Sequence, residues 1–217
     1  MHDAVTAISA TSVSPIVRIA ANEPWMVKRA LDAGAHGILV PLIYTIEDCR
    51  SVVSSAKFPP VGKRGFGSPY PMERFHPSLS STDYLAQAND ALLTCVQIET
   101  KEALEAADAI AAVSGIDVLF VGPFDLGNNI GFPVLNGKMH EKLNEAIAKV
   151  LKASNSAGKK AGIFCASGEQ ARFYADMGFH MISAATDMHV LPAGLAASLA
   201  TATGSGSAPK MTGPYGK

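Results

Sequence analysis

The sequence predicts an α/β fold: a parallel sheet of the (β/α)8 barrel type, apparently lacking its first one or two strands. Three observations predict it. Short apolar segments alternate with helix-like segments along the chain. The apolar segments are continuous rather than alternating, which suits strands buried on both faces of a parallel sheet. Only six strand-like segments are found, and 217 residues fall short of the roughly 250 of a typical complete barrel. The opening segment, MHDAVTAISATS, reads as a helix that ought to follow a strand. The alternative is an open doubly wound sheet, complete as it stands.

The elements follow in order. Strands are expected at 14–20 (SPIVRIA), 36–42 (HGILVPL), 92–99 (LLTCVQIE), 116–122 (IDVLFVG), 160–166 (KAGIFCA) and 179–185 (FHMISAA). Asn22 and Pro24 lead into a helix, WMVKRALDAG, which ends at Gly34 with the usual proline-first, glycine-last asymmetry. Thr45 caps IEDCRSVVSSA. Residues 57–83 form a long connection rich in Pro and Gly, a length usually reserved for function or an interface. Thr100 caps KEALEAADAIAAV, which Gly115 ends. Residues 140–156 form a longer amphipathic helix stopped by Gly158, and Ser167 caps GEQARFYADMG, ended by Gly178. One domain is expected over 1–202. Residues 203–217, TGSGSAPKMTGPYGK, have linker composition and read as a disordered tail.

Bulk properties narrow the function classes. With 48% hydrophobic and 17% charged residues the chain is globular in composition. A formal net charge of −1 gives no reason to expect nucleic acid or an anionic membrane as partner. Cys49, Cys95 and Cys165 are widely spaced and unpaired by count, as buried thiols in a reducing compartment would be. No apolar run reaches the length of a spanning helix, and Met1-His2-Asp3 does not open a signal peptide. A cytoplasmic protein is expected.

The strongest chemical feature is a pair of carboxylates placed alike after two successive strands. Glu99 stands at the end of LLTCVQIET and Asp125 just past the end of IDVLFVG. Neighbouring parallel strands lie about 4.8 Å apart, so both acids can hold one hard divalent cation. A lone acid there is as well explained by the dipole of a following helix. Two at equivalent strand ends, with Gln97 upstream of one and Gly122-Pro123 before the other, favour a metal site. Arg18, inside an apolar strand, reads either as half of a structural ion pair or as a clamp for a substrate carboxylate or enolate. Asp32, at a helix C-terminus, reads as solvent-exposed, with hydrogen bonding to a catalytic group as the sharper alternative. Arg64-Gly65-Phe66-Gly67 is a weak phosphate-loop match. His36, His76, His180 and His189 lack metal-ligand spacing and read as structural. The strands hold no lysine in their interiors, which argues against imine chemistry and for a metal as electron sink.

These residues carry a resemblance. VQIETKEAL with VGPFDLGNNIG, preceded by PIVRIA, LDAG, ILVPL and PPVGKRGFGS, closely resembles the HpcH/HpaI aldolases over residues 14–200. GFGSPYPMERF looks like fungal members. The resemblance implies a (β/α)8 barrel of the phosphoenolpyruvate/pyruvate type, a homo-oligomer (a hexamer in the family) and a divalent metal: Mg²⁺, Mn²⁺ or Co²⁺. It places Glu99 and Asp125 on metal ligands and Arg18 on the arginine that binds the pyruvate moiety. Gln97 falls beside the substrate, and Asp32 on an aspartate that reaches a neighbouring subunit's site and supports its histidine. Phe124 stands where bacterial members carry a smaller residue; with Gly122 and Pro123 it is a candidate substrate contact. The family histidine belongs to a stretch upstream of Met1, so an N-terminally truncated chain is expected.

The implied reaction is metal-dependent (class II) cleavage of a 4-hydroxy-2-oxo acid to pyruvate and an aldehyde, possible here only in impaired form if that histidine is lacking. The alternatives are an oxaloacetate decarboxylase of the same family, or a non-catalytic relative that assembles with full-length partners.

Overall fold

In the computed structural model, which describes residues 1–205, six parallel strands form one sheet whose order is that of the chain. The strands are β1 (Ile16–Arg18), β2 (Gly37–Val40), β3 (Leu93–Ile98), β4 (Val118–Val121), β5 (Lys160–Ile163) and β6 (Met181–Ile182). A doubly wound sheet reverses its strand order at a switch point. This sheet does not reverse, which removes that alternative and leaves the wall of a barrel.

The helices are α1 (His2–Ser9), α2 (Pro24–Asp32), α3 (Ile46–Ala56), α4 (Tyr70–Phe75), α5 (Ser81–Ala91) and α6 (Lys101–Glu105). They continue with α7 (Ala107–Ala111), α8 (Pro123–Asn129), α9 (Glu141–Ser156), α10 (Gly168–Met177) and α11 (Asp187–Thr203). Polar residues set their starts. Thr45 and Asp48 form a reciprocal capping box on α3, and the hydroxyls of Thr100 and Ser167 accept the N–H groups of Ala103 and Gln170.

Both faces of the sheet carry apolar side chains, as the continuous apolar strands lead one to expect. Ile38, Val40, Val96, Ile98, Leu119, Val121 and Ile163 point outward into the main core shared with the helices. Leu39, Cys95, Val118 and Phe120 point inward and form a smaller cluster with Ile16, Phe164 and Met181. The alternation of one strand's side chains between these two clusters is the period-two geometry of a strand. Gly162 belongs to the inner layer. A Cβ there would lie 2.4 Å from Cδ2 of Phe120, so only glycine lets that ring lie across β5.

The foot of the sheet is held by polar groups. Lys57 is buried, and its ammonium donates to the carbonyls of Asn89 (2.6 Å) and Leu92 (2.9 Å) near the end of α5, 3.9 Å from Asp117. Burial pushes its pKa down, against the pull of Asp117.

Three expectations need correction. The expected connection 57–83 contains α4 and the start of α5, because Ser80 accepts Asp83 N–H as a cap and Tyr84 and Ala88 bury one face. The single helix expected after Thr100 is two, broken where Ala106 leaves helical geometry (φ −89°, ψ 11°); the second piece buries Ala107, Ile110 and Ala111. Ordered helix runs through Thr203, one residue past the expected domain end, and Gly204 follows it. The rest of the expected tail, 206–217, lies outside the described residues. α11 buries no residue: Met188, Val190, Leu191, Leu195 and Leu199 are exposed. No helix among the described residues is long and apolar enough to cross a membrane.

Candidate active site

The C-terminal ends of the strands gather the polar groups. Glu99 follows β3 directly, Asp125 sits in the first turn of α8 after β4, and Arg18 is the last residue of β1. A relay of hydrogen bonds joins them across the inner face. Arg18 Nε donates to Gln97 Oε1 (2.6 Å), and Gln97 Nε2 donates to Glu99 Oε2 (2.8 Å). The other carboxylate oxygen, Oε1, accepts the N–H of Leu42 (2.9 Å). Leu42 reaches it in a left-handed conformation (φ 52°), which a branched side chain adopts only when its surroundings impose it. Gly122 gives the carboxylate room. A Cβ on that residue would fall 2.3 Å from Glu99 Oε2.

Glu99 is fully buried. Burial raises its carboxyl above the ordinary 4.5; the Leu42 N–H opposes this, the nearby Asp125 charge adds to the rise, and Arg18 opposes it. Asp125 is exposed, and its carboxylate has no hydrogen-bond partner among the described residues. Two adjacent carboxylates, one dry, repel each other until a cation lies between them. Each Glu99 oxygen accepts one hydrogen bond and keeps a lone pair, so the pair supplies donors that fit Mg²⁺, Mn²⁺ or Co²⁺. No group of three or more His, Cys, Asp or Glu surrounds a common point among the described residues. Water and substrate oxygens would complete the coordination.

These groups line one end of a cavity of about 600 Å³. Phe120, Phe124, Phe164 and Met181 form its apolar wall. Residues from five of the six strands, with Phe164 just past β5, face this space, which is how a curled sheet presents its concave side.

The HpcH/HpaI aldolase/citrate lyase family model matches residues 1–193. The chain belongs to this family. It is 37% identical over 187 residues to a hydroxypyruvate/pyruvate aldolase of Rhizorhabdus wittichii, covering 86% of this chain and 72% of that one. It is 34% identical over 210 residues to a 4-hydroxy-2-oxo-heptane-1,7-dioate aldolase of Salmonella paratyphi B, covering 97% and 77% respectively. Among solved structures, an HpcH/HpaI aldolase/citrate lyase family protein from Burkholderia cenocepacia superimposes with a TM-score of 0.79 at 34% identity. That match covers 95% of this chain and 79% of the other. Relatives of this HpcH/HpaI chain are thus named as aldolases, which are carbon–carbon lyases.

Most residues singled out in this HpcH/HpaI sequence converge. Arg18, Gln97, Glu99, Gly122, Pro123, Phe124 and Asp125 all line the one cavity. Arg18 is exposed rather than buried, because β1 is an edge strand with a neighbour on one side only. Asp32 is not brought to the cavity, nor is it simply solvated. Its carboxylate accepts Arg64 Nη2 (3.0 Å) and Lys28 Nζ (2.5 Å). Arg64 is itself buried, 4.5 Å over the Phe58 ring and bonded to the Tyr84 hydroxyl, so the arginine of Arg64-Gly65-Phe66-Gly67 is held inside the fold rather than offered to a phosphate. His189 was read as structural from spacing alone, yet it lines the cavity. A usable signal existed: it follows the last strand at the end where Glu99 and Asp125 follow theirs.

Proposed function

We propose that the chain is a metal-dependent class II aldolase that cleaves a 4-hydroxy-2-oxo acid to pyruvate and an aldehyde. The observation that carries this is the buried Glu99 beside Asp125, tied through Gln97 to Arg18. The names of the R. wittichii and Salmonella relatives support the substrate class. Glu99 and Asp125 hold the divalent cation, Mg²⁺, Mn²⁺ or Co²⁺. When bound, the metal acts as a Lewis acid toward the 2-oxo acid. Arg18 binds the carboxylate end of the substrate and shares the charge that develops on the pyruvate enolate. Gln97 fixes Arg18 by its Nε, which directs the two terminal nitrogens to substrate. Pro123 and Phe124 shield the reacting carbons from water.

Several wider features belong to the same reading. Residues 1–202 form the aldolase domain, the six strands being part of an eight-stranded closure whose first one or two strands they do not include. A second copy covers the apolar stripe of α11, making a homo-oligomer, and Asp32 acts only across such an interface. Three buried free thiols suit the cytoplasm.

The test is pyruvate release from 4-hydroxy-2-oxoheptanedioate by the purified protein. Release with Mn²⁺ that stops with EDTA is expected. Release unaffected by EDTA contradicts the metal assignment.

A further inference from the structure

A second concavity lies on the helical side of the fold, between α2, α3 and the turn that follows α3. It holds about 610 Å³ and shares no residue with the cavity at the strand ends. Glu47, Arg50, Ser51, Ser54 and Ser55 line it at spacings of three and four, so they form one stripe along α3. Trp25 and Lys28 of α2 contribute to the lining, and residues 63–65 complete it.

The turn is built closely against α3. Lys63 N–H donates to Ser54 O (2.6 Å) and Arg64 N–H to Lys57 O (3.0 Å), while Lys28 Nζ donates to Gly65 O (2.7 Å) from α2. A Cβ on Gly62 would fall 2.3 Å from Lys57 O, so this approach requires glycine.

The polar groups of the groove are unbalanced toward positive charge. Arg50 is matched by Glu47, whereas Lys28 and Arg64 share the single carboxylate of Asp32. The Lys63 ammonium meets no acid or acceptor among the described residues. The lining and its ion-pair partners therefore carry two more positive charges than negative. The half-buried hydroxyls of Ser51, Ser54 and Ser55 also have no hydrogen-bond partner among the described residues. Ammonium and hydroxyl donors around one hollow match the several acceptor oxygens of a phosphoryl group. Trp25, 59% exposed and the single tryptophan of the chain, offers a flat apolar face beside them.

We propose that this groove binds a phosphate monoester. Lys63 and the third N–H of Lys28, which Asp32 and Gly65 O leave unused, hold the phosphoryl oxygens. The serine hydroxyls of α3 donate to the same oxygens, and the Trp25 ring covers the organic part. Arg64 stays inside the fold and lends charge rather than contact.

Fluorescence from the single tryptophan reports on this groove alone. The intact protein is titrated with adenosine monophosphate and with inorganic phosphate, at constant ionic strength and without divalent metal. A saturable change is expected with both, and adenosine monophosphate binds about tenfold more tightly because its base stacks on the indole. Lys63→Ala, folded by circular dichroism, weakens that binding at least about tenfold, the scale of one lost charged hydrogen bond. Lys152→Ala, exposed on α9, leaves it unchanged. No saturable change with either probe, equal affinities for the two, or wild-type binding by Lys63→Ala overturns the proposal.

Discussion

At the scale of single residues, the site depends on close approach. Gly122 stands where any side chain would meet the Glu99 carboxylate. Gly122→Ala adds one methyl on a backbone of ordinary negative φ, so the fold survives and the carboxylate must move. The variant is expected to remain folded by circular dichroism while its Mn²⁺ affinity falls at least about tenfold, the range seen when metal ligands are disoriented. Wild-type affinity in Gly122→Ala would show that the carboxylate has slack and that its position is not set by the glycine. Glu99 and Asp125 were legible in the sequence because each follows an apolar strand directly. The pairing of Arg18 with Gln97 was not, since residues 79 positions apart meet only once β1 and β3 curl around β2. His189 was hidden for the same reason: no spacing rule connects it to the carboxylates.

At the scale of elements, the start signals were readable and the breaks were not. Thr45, Thr100 and Ser167 cap the helices expected of them, because a hydroxyl beside an extended backbone satisfies orphan N–H groups whatever the fold. The breaks depend on packing. α6 and α7 share one alanine-rich sequence and part only where the second piece settles on α9. α4 hides in a segment whose Pro and Gly suggest loop. It presents Phe75 to stack on His36 (3.9 Å) just before β2 and Arg74 O to accept from His36 Nε2 (3.0 Å), while Nδ1 meets the Ser14 hydroxyl (3.0 Å). Burial lowers the His36 pKa below its ordinary 6.5, against the Arg74 carbonyl. A lowered folded pKa means that the unfolded chain takes up the proton first. The contribution to stability is therefore complete above pH 6.5 and is lost as pH falls through the lower folded value. NMR titration of the His36 ring should give a midpoint below 6.5; one at or above that value would contradict the packing assigned to α4.

At the scale of the molecule, two properties of the sheet decide the function. Its order follows the chain without reversal, so all strand ends that carry chemistry face the same side, and its curl brings β1 and β6 to one cavity. The number and order of strands could be read from continuous apolar runs. The curl could not, because it arises from the twist of parallel strands and from inner-layer choices such as Gly162 under Phe120. The exposed stripe Leu191, Leu195 and Leu199 on α11 escaped notice for another reason: alanines, threonines and Gly194 dilute it, and its spacing of four shows only on a helix. The proposed function rests on a cation held between Glu99 and Asp125. Mn²⁺ titration followed by electron paramagnetic resonance, on wild type and Glu99→Ala, tests that most directly. Binding by the wild type, tightened by pyruvate and abolished in Glu99→Ala, is the predicted result; equal binding by the two proteins would contradict it.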